Sequence, residues 1–238
     1  MRRTRPLDTT WGTLLAILVA GGTATATLPA QAVLPGTGEQ IDRLGDDFED
    51  PDWHFRSNSP KSSYNIDKRV REPGGISINR RWAESAKRGQ PDVIRRVVTP
   101  SNGLPGSQGA LLLRSRYTGV PGRPGGKGNQ DDLLLRIRTR MGGHLPASWS
   151  PSIVVHVYLP PWEQWENATG TSFALRLDLA GAKSGRGSDE DYWPGIFVRA
   201  IRGPRGHGPS RAQLVIRAAR TGRDISGPTL TETGWWSL

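Results

Sequence analysis

The chain has 238 residues, with 32 Lys and Arg against 22 Asp and Glu, 30 Gly, 19 Pro, 9 Trp and no Cys. Its 35% apolar and 23% charged content excludes a disordered, collagenous or coiled-coil chain, and the lack of Cys excludes a disulfide scaffold, a Cys-anchored lipid and any Cys-based zinc or iron–sulfur site. Gly and Pro together make 49 residues, so many short elements joined by turns are expected.

Arg2, Arg3 and Arg5 precede an uncharged run from Thr9 to Gly38 whose apolar centre is Leu14 to Ala20, and Ala30-Gln31-Ala32 has the small-x-small form of a signal-peptidase site. Residues 1–32 are expected to be a secretory signal peptide and residues 33–45 a spacer, followed by a β-sandwich domain over 46–238. Gly21, Gly22 and the alternating Thr and Ala that follow make the same run a weak membrane anchor. The expected location is outside the cytoplasm, secreted, periplasmic or in the cell envelope, with no transmembrane segment beyond the signal. Without residues 1–32 the chain keeps 206 residues, 29 of them basic and 21 acidic, a net charge of +8.

The domain opens acidic. Asp46, Asp47, Glu49 and Asp50 are a candidate structural Ca²⁺ cluster, since calcium takes six to eight oxygen ligands, although their spacing is not that of a helical calcium loop. From Ser57 to Gln90 the pattern is irregular, with Ile76 and Ile78 hinting at a strand. Strands are then expected at Val93–Val98, Ala110–Tyr117, Asp132–Arg140, Ser152–Leu159, Ser172–Leu179, Gly195–Arg202 and Gln213–Ala219, with another starting near Gly234. No run has convincing helical periodicity, and Gly119 to Asn129, Ala180 to Asp191 and Gly203 to Pro209 read as loops. The fold class is all-β, an antiparallel two-sheet β-sandwich, since parallel sheets would need crossover helices.

Alternation along these strands separates two faces. One collects Leu111, Leu113, Leu133, Leu135, Ile137, Ile153, Val155, Val157, Leu159, Phe173, Leu175, Leu177, Leu179, Ile196, Val198, Leu214 and Ile216 and reads as core. The other collects Arg114, Arg116, Arg136, Arg138, Arg140, His156, Tyr158, Arg176, Asp178, Arg199 and Arg217. Held on a sheet, guanidinium forks at fixed spacing suit carboxylate and sulfate groups. In a chain with 27 Arg and 5 Lys, the same face also reads as ordinary solvated surface. Trp162, Trp165 and Trp193 stand in Pro-containing segments beside the strands, placed either to stack on pyranose rings or to cap the ends of the core.

Several catalytic patterns are absent. Gly125-Gly126-Lys127-Gly128 lacks the Ser or Thr of a phosphate loop; there is no Gly-x-Ser-x-Gly elbow, no His-Glu-x-x-His, and no Glu-x-Asp-x-x-Glu of the sandwich glucanases. His156 and Tyr158 share a strand face with Arg176, a set that would serve a polysaccharide lyase as proton acceptor, proton donor and carboxylate neutraliser. The basic pI of 10.7 raises nucleic acid as a partner, but the signal peptide and the lack of a recognised binding fold or dense basic tract favour acidic glycans, cell-surface polymers or membranes.

Asp46-Asp47-Phe48-Glu49-Asp50 with Trp53, Ser107 to Ser115, Ser152 to Tyr158, Trp162 to Gly170 and Tyr192-Trp193-Pro194-Gly195-Ile196 together resemble secreted bacterial proteins of the concanavalin A-like lectin/glucanase superfamily, most of all its uncharacterised members. The resemblance implies a two-sheet jelly roll whose concave face or rim binds carbohydrate. Lyases of that fold often carry Gln-x-His on a central strand, where this chain has Val154-Val155-His156. The chain stops at Gly234-Trp235-Trp236-Ser237-Leu238, where a jelly roll would continue into closing strands or end on a short edge strand.

The expected function is carbohydrate binding, of an anionic polysaccharide, through Arg114, Arg136, Arg138, Arg199, Trp162, Trp165 and Trp193. The alternatives are a uronate-polymer lyase using His156, Tyr158 and Arg176, and a non-catalytic interaction domain of the cell envelope. No cofactor beyond the candidate Ca²⁺ is expected.

Overall fold

The computed structural model describes residues 34–64, 68–116, 130–165, 167, 172–183, 189–204, 207–219 and 221–238. The expected signal peptide and the Gly-rich loop 119–129 lie outside the described residues.

The strands are β1 (Phe55–Arg56), β2 (Ile76–Ser77), β3 (Trp82–Glu84), β4 (Val93–Val98), β5 (Gly109–Arg114), β6 (Leu133–Leu135), β7 (His156–Leu159), β8 (Ser172–Arg176), β9 (Leu179–Lys183), β10 (Asp189–Tyr192), β11 (Gly195–Ala200), β12 (Ala212–Arg217), β13 (Asp224–Leu230) and β14 (Gly234–Ser237). Every named pairing is antiparallel. The all-β reading therefore holds, and β4 spans the expected residues.

Two hydrophobic cores form, each under its own strands. In the N-terminal half, the sheet β1-β2-β3-β6 meets the hairpin β4-β5 through a bridge between His54 and Arg95. Trp53, Phe55 and Ile94 are buried there against Phe48, Trp82, Leu111 and Leu133. In the C-terminal half, the sheet β13-β12-β11-β8 packs on the pair β7-β14. Leu159, Val198, Ala212 and Leu230 are buried between them, with Val157, Phe173, Leu214 and Trp236 packed around. The halves are tied by an ion pair of 3.0 Å between Arg176 and Asp132, and by the Trp235 indole N–H, which reaches the Ser101 carbonyl at 3.2 Å.

The expected strand Asp132–Arg140 is corrected. Pairing with β3 ends at Leu135, and Ile137–Met141 is a one-turn helix. Its C-cap is Gly142, at a φ of 72° that favours glycine, and the Gly143 N–H donates to the Arg138 carbonyl at 3.0 Å. The Gly-Gly pair thus closes a turn in which Arg136, Arg138 and Arg140 no longer share a strand face. Leu179–Lys183 and Asp189–Tyr192 form a hairpin where a loop was expected, and β13 forms despite Gly227 and Pro228 because the register shifts between Gln213 and Val215.

The irregular segment Ser57–Gln90 wraps a buried polar cluster. Glu84 is 1% exposed and Gln90 3%. The Lys61 ammonium, also buried, pairs with Asp92 at 3.0 Å and Asp131 at 2.9 Å, joining this segment to the starts of β4 and β6. Gly89, at a φ of 81°, passes so close to the Ser62 carbonyl that a Cβ would collide with it. Among the described residues no helix is long and apolar enough to cross a membrane.

Candidate functional site

The C-terminal sheet sorts its side chains as alternation requires. Across three strands, Phe173, Val198 and Leu214 stand opposite one another, as do Leu175, Ile196 and Ile216. Because Val198 is in the core, the intervening residues lie on the opposite face, where Arg176 and Arg199 are exposed and Val215 is itself buried. Register sets that face out in rows. One runs Arg176, Gly195, Arg217, Asp224; the next Ala174, Phe197, Val215, Ser226; the third Ser172, Arg199, Gln213, Thr229.

The first row is the densest in chemistry. Gly195 separates Arg176 from Arg217, so their backbones are roughly 10 Å apart, two interstrand spacings. A Cβ at 195 would stand 2.9 Å from Arg176 Cγ, so glycine leaves the space across which the Arg176 stem lies. The Arg176 guanidinium donates to Asp132 at 3.0 Å. Arg217 lies over the Phe197 ring, 4.8 Å from its centroid, and its Nε donates to Asp224 at 2.8 Å. Arg199 reaches the other Asp224 oxygen at 4.0 Å. Each carboxylate fixes a guanidinium, and among the described residues these contacts engage a minority of the five N–H donors of each Arg. Trp193, 46% exposed, stands two residues before Gly195 at this end of the sheet.

The other expected site residues divide among different places. Arg114 pairs across from Val93 at the end of β5 in the N-terminal half, and Arg136 and Arg138 belong to the helical turn after β6. Trp162 and Trp165 pack against the C-terminal core with ring centroids 5.3 Å apart; the Trp162 indole donates to the Thr231 carbonyl at 3.1 Å and the Trp165 indole to the Pro160 carbonyl at 2.8 Å. Both therefore cap the core.

His156 and Tyr158 do share a face of β7, as alternation implies. That face is the outer side of the β7-β14 layer, because Val157 and Leu159 point to the core. Arg176 stands on the outer side of the opposite layer, so the three groups do not converge. Ser237 Oγ hydrogen-bonds His156 Nδ1 at 2.8 Å, and Tyr158 meets Trp235 edge to face at 5.5 Å.

The acidic opener spends its oxygens on the protein. Asp46 Oδ2 accepts from the indoles of Trp53 at 3.1 Å and Trp82 at 2.8 Å and from Asn79 at 2.9 Å. Asp47 and Asp50 cap the N–H groups of Glu49 and Asp52. Glu49 accepts from the Gln108 N–H at 2.9 Å; that bond and one from the Ser107 side chain hold its carboxyl below the usual carboxylate range. Four carboxylates with four separate sets of partners do not fit a calcium ion, and among the described residues no three His, Asp or Glu converge to hold a metal.

Sequence reasoning passed over Gly195, Phe197, Asp132 and Asp224. Phe197 was legible as the residue between Gly195 and Arg199 on one face, while the two carboxylates come from elements whose register only the fold supplies. Compared with protein-family models, curated proteins and solved structures, the chain finds no match.

Proposed function

We propose that this is an exported, non-catalytic domain that binds an anionic polysaccharide on the outer face of β8-β11-β12-β13. The reading rests on one observation: Arg176, Arg217 and Arg199 stand on a single rigid sheet face, braced by Asp132, Asp224 and Phe197, with an exposed Trp193 beside the first row. A flat array suits a polymer, whose successive acidic groups engage successive guanidiniums while Trp193 stacks on a ring. The leader-like first 32 residues support export, and the superfamily motifs support a jelly-roll relative that holds sugar on a sheet face.

Retention on a panel of neutral, uronate and sulfated polysaccharides, at low and at high salt, tests the proposal. Binding to the acidic polymers that weakens as salt rises is the expected result. Equal binding to neutral polymers, or none to any acidic one, would overturn it.

A further inference from the structure

We propose a second anion site, separate from the polymer-binding face: a basic cleft on the outer side of the N-terminal sheet that takes one oxyanion group, carboxylate, sulfate or phosphate, on a body no larger than a single sugar ring.

The alternation of β1 builds its floor. Phe55 is buried in the N-terminal core, so His54 and Arg56 face outward. Arg56 pairs with Ile76, and the His54 carbonyl accepts from the Ile78 N–H at 3.0 Å, which brings both isoleucines to the same side. Arg136 follows β6, its N–H donating to the Arg81 carbonyl at 2.8 Å, and closes one wall. Arg80 closes another from the turn between β2 and β3. Together they line a cleft of about 260 Å³.

Its electrostatics differ from those of the C-terminal face. There Arg176, Arg199 and Arg217 each have a carboxylate within 4.0 Å. Here no lining residue is acidic, and among the described residues Arg56, Arg80 and Arg136 have no acidic partner. Three like charges around one concavity repel one another, a cost that an anion between them relieves, and apolar walls concentrate the field. Arg80 adds an independent sign: it holds a φ of 57°, in the left-handed region that a long side chain seldom occupies. His54 Nδ1 lies 2.8 Å from the Asp52 carbonyl, which only accepts, so that nitrogen donates to it and holds the ring beside the cleft. Ile76 and Ile78 offer an apolar wall for ring carbons. A volume of about 260 Å³ has room for one small acid.

Calorimetric titration of the whole protein with inorganic sulfate, inorganic phosphate and glucuronate at low salt tests this, using the wild type, Arg80→Gly, Arg136→Gln and the double variant Arg176→Gln with Arg217→Gln. Arg80→Gly removes a guanidinium and suits the left-handed backbone, so thermal unfolding should show no loss of stability. Saturable binding of at least one anion is expected, weakened about tenfold in each cleft variant and unchanged in the double variant. Sulfate or phosphate binding as tight as glucuronate would assign the site to the oxyanion alone; tighter glucuronate binding would assign it to the sugar acid. No saturable binding by the wild type, or binding unchanged by both cleft substitutions, or binding lost with Arg176 and Arg217, overturns the proposal. Polymer retention on the other face reads out independently.

Discussion

Glu84 shows how a single side chain can organise a segment that has no regular pattern. Its carboxylate accepts from the backbone N–H groups of Ser62, Gly74 and Gly75 and from the Asn58 amide, so a buried negative charge is met by four donors. Among the described residues, Ser62 Oγ beside it is buried with no hydrogen-bond partner. Glu84→Ala should therefore cost on the order of 3 kcal/mol or more, because the donors lose their acceptor, whereas Ser62→Ala should change stability by less than about 1 kcal/mol. Urea unfolding of the two variants reads the contrast directly. This cluster was not legible beforehand: three of its four donors are backbone groups, which leave no mark in the sequence of residues 57–90.

Glu49 gives a second test at the same scale. Its carboxyl is held low by the Gln108 N–H and the Ser107 side chain, so the folded state favours the charged form. A depressed folded pKa contributes stability that is fully present above the unfolded value, about 4.3, and fades as pH falls through the lower folded value. The stability gap between wild type and Glu49→Gln should thus be present at neutral pH and shrink in acid. A gap that is constant across that range would contradict the assignment.

At the scale of elements, period-two alternation was readable wherever both strand faces met different surroundings. In β7, β8, β11 and β12, Val157, Leu159, Phe173, Val198 and Leu214 lie against the core and the Arg, His and Tyr set lies on the other face, whereas Leu113, Ile153 and Leu179 of the expected core set are exposed. The same alternation misled at Arg136 to Arg140. From Leu135 on, Arg136, Ile137 and Arg138 alternate polar and apolar as a strand would, but Gly142 and Gly143 terminate a helical turn there, and a run of five residues carries too little periodicity to separate the two. Tryptophan divides by the same criterion of contact. Trp162 and Trp165 cap the core while Trp193 is exposed, so Trp162→Ala should lose about 3 kcal/mol of stability, and Trp193→Ala should keep stability while weakening polymer binding about tenfold. Thermal melts and polymer titration of both variants check the pair.

For the whole molecule, the arginines expected to form one field are distributed over two outer surfaces. Arg176, Arg199 and Arg217 share the C-terminal sheet, whereas Arg56, Arg80 and Arg136 line the N-terminal cleft. The distribution follows from there being two cores, each covered by its own strands. Strand patterns reveal which residues share a face of one strand. They do not reveal which strands share a sheet, and so Asp132, supplied by the N-terminal half to Arg176, was out of reach of the sequence.

The most direct test of the polymer-binding face is the affinity of the double variant Arg176→Gln with Arg217→Gln for a soluble polyuronate, measured beside the wild type over a salt series. The expected outcome is a loss of about a hundredfold at low salt, with a shallower salt dependence, and an unchanged unfolding midpoint. An affinity and salt slope equal to those of the wild type would contradict the assignment of this face as the binding surface.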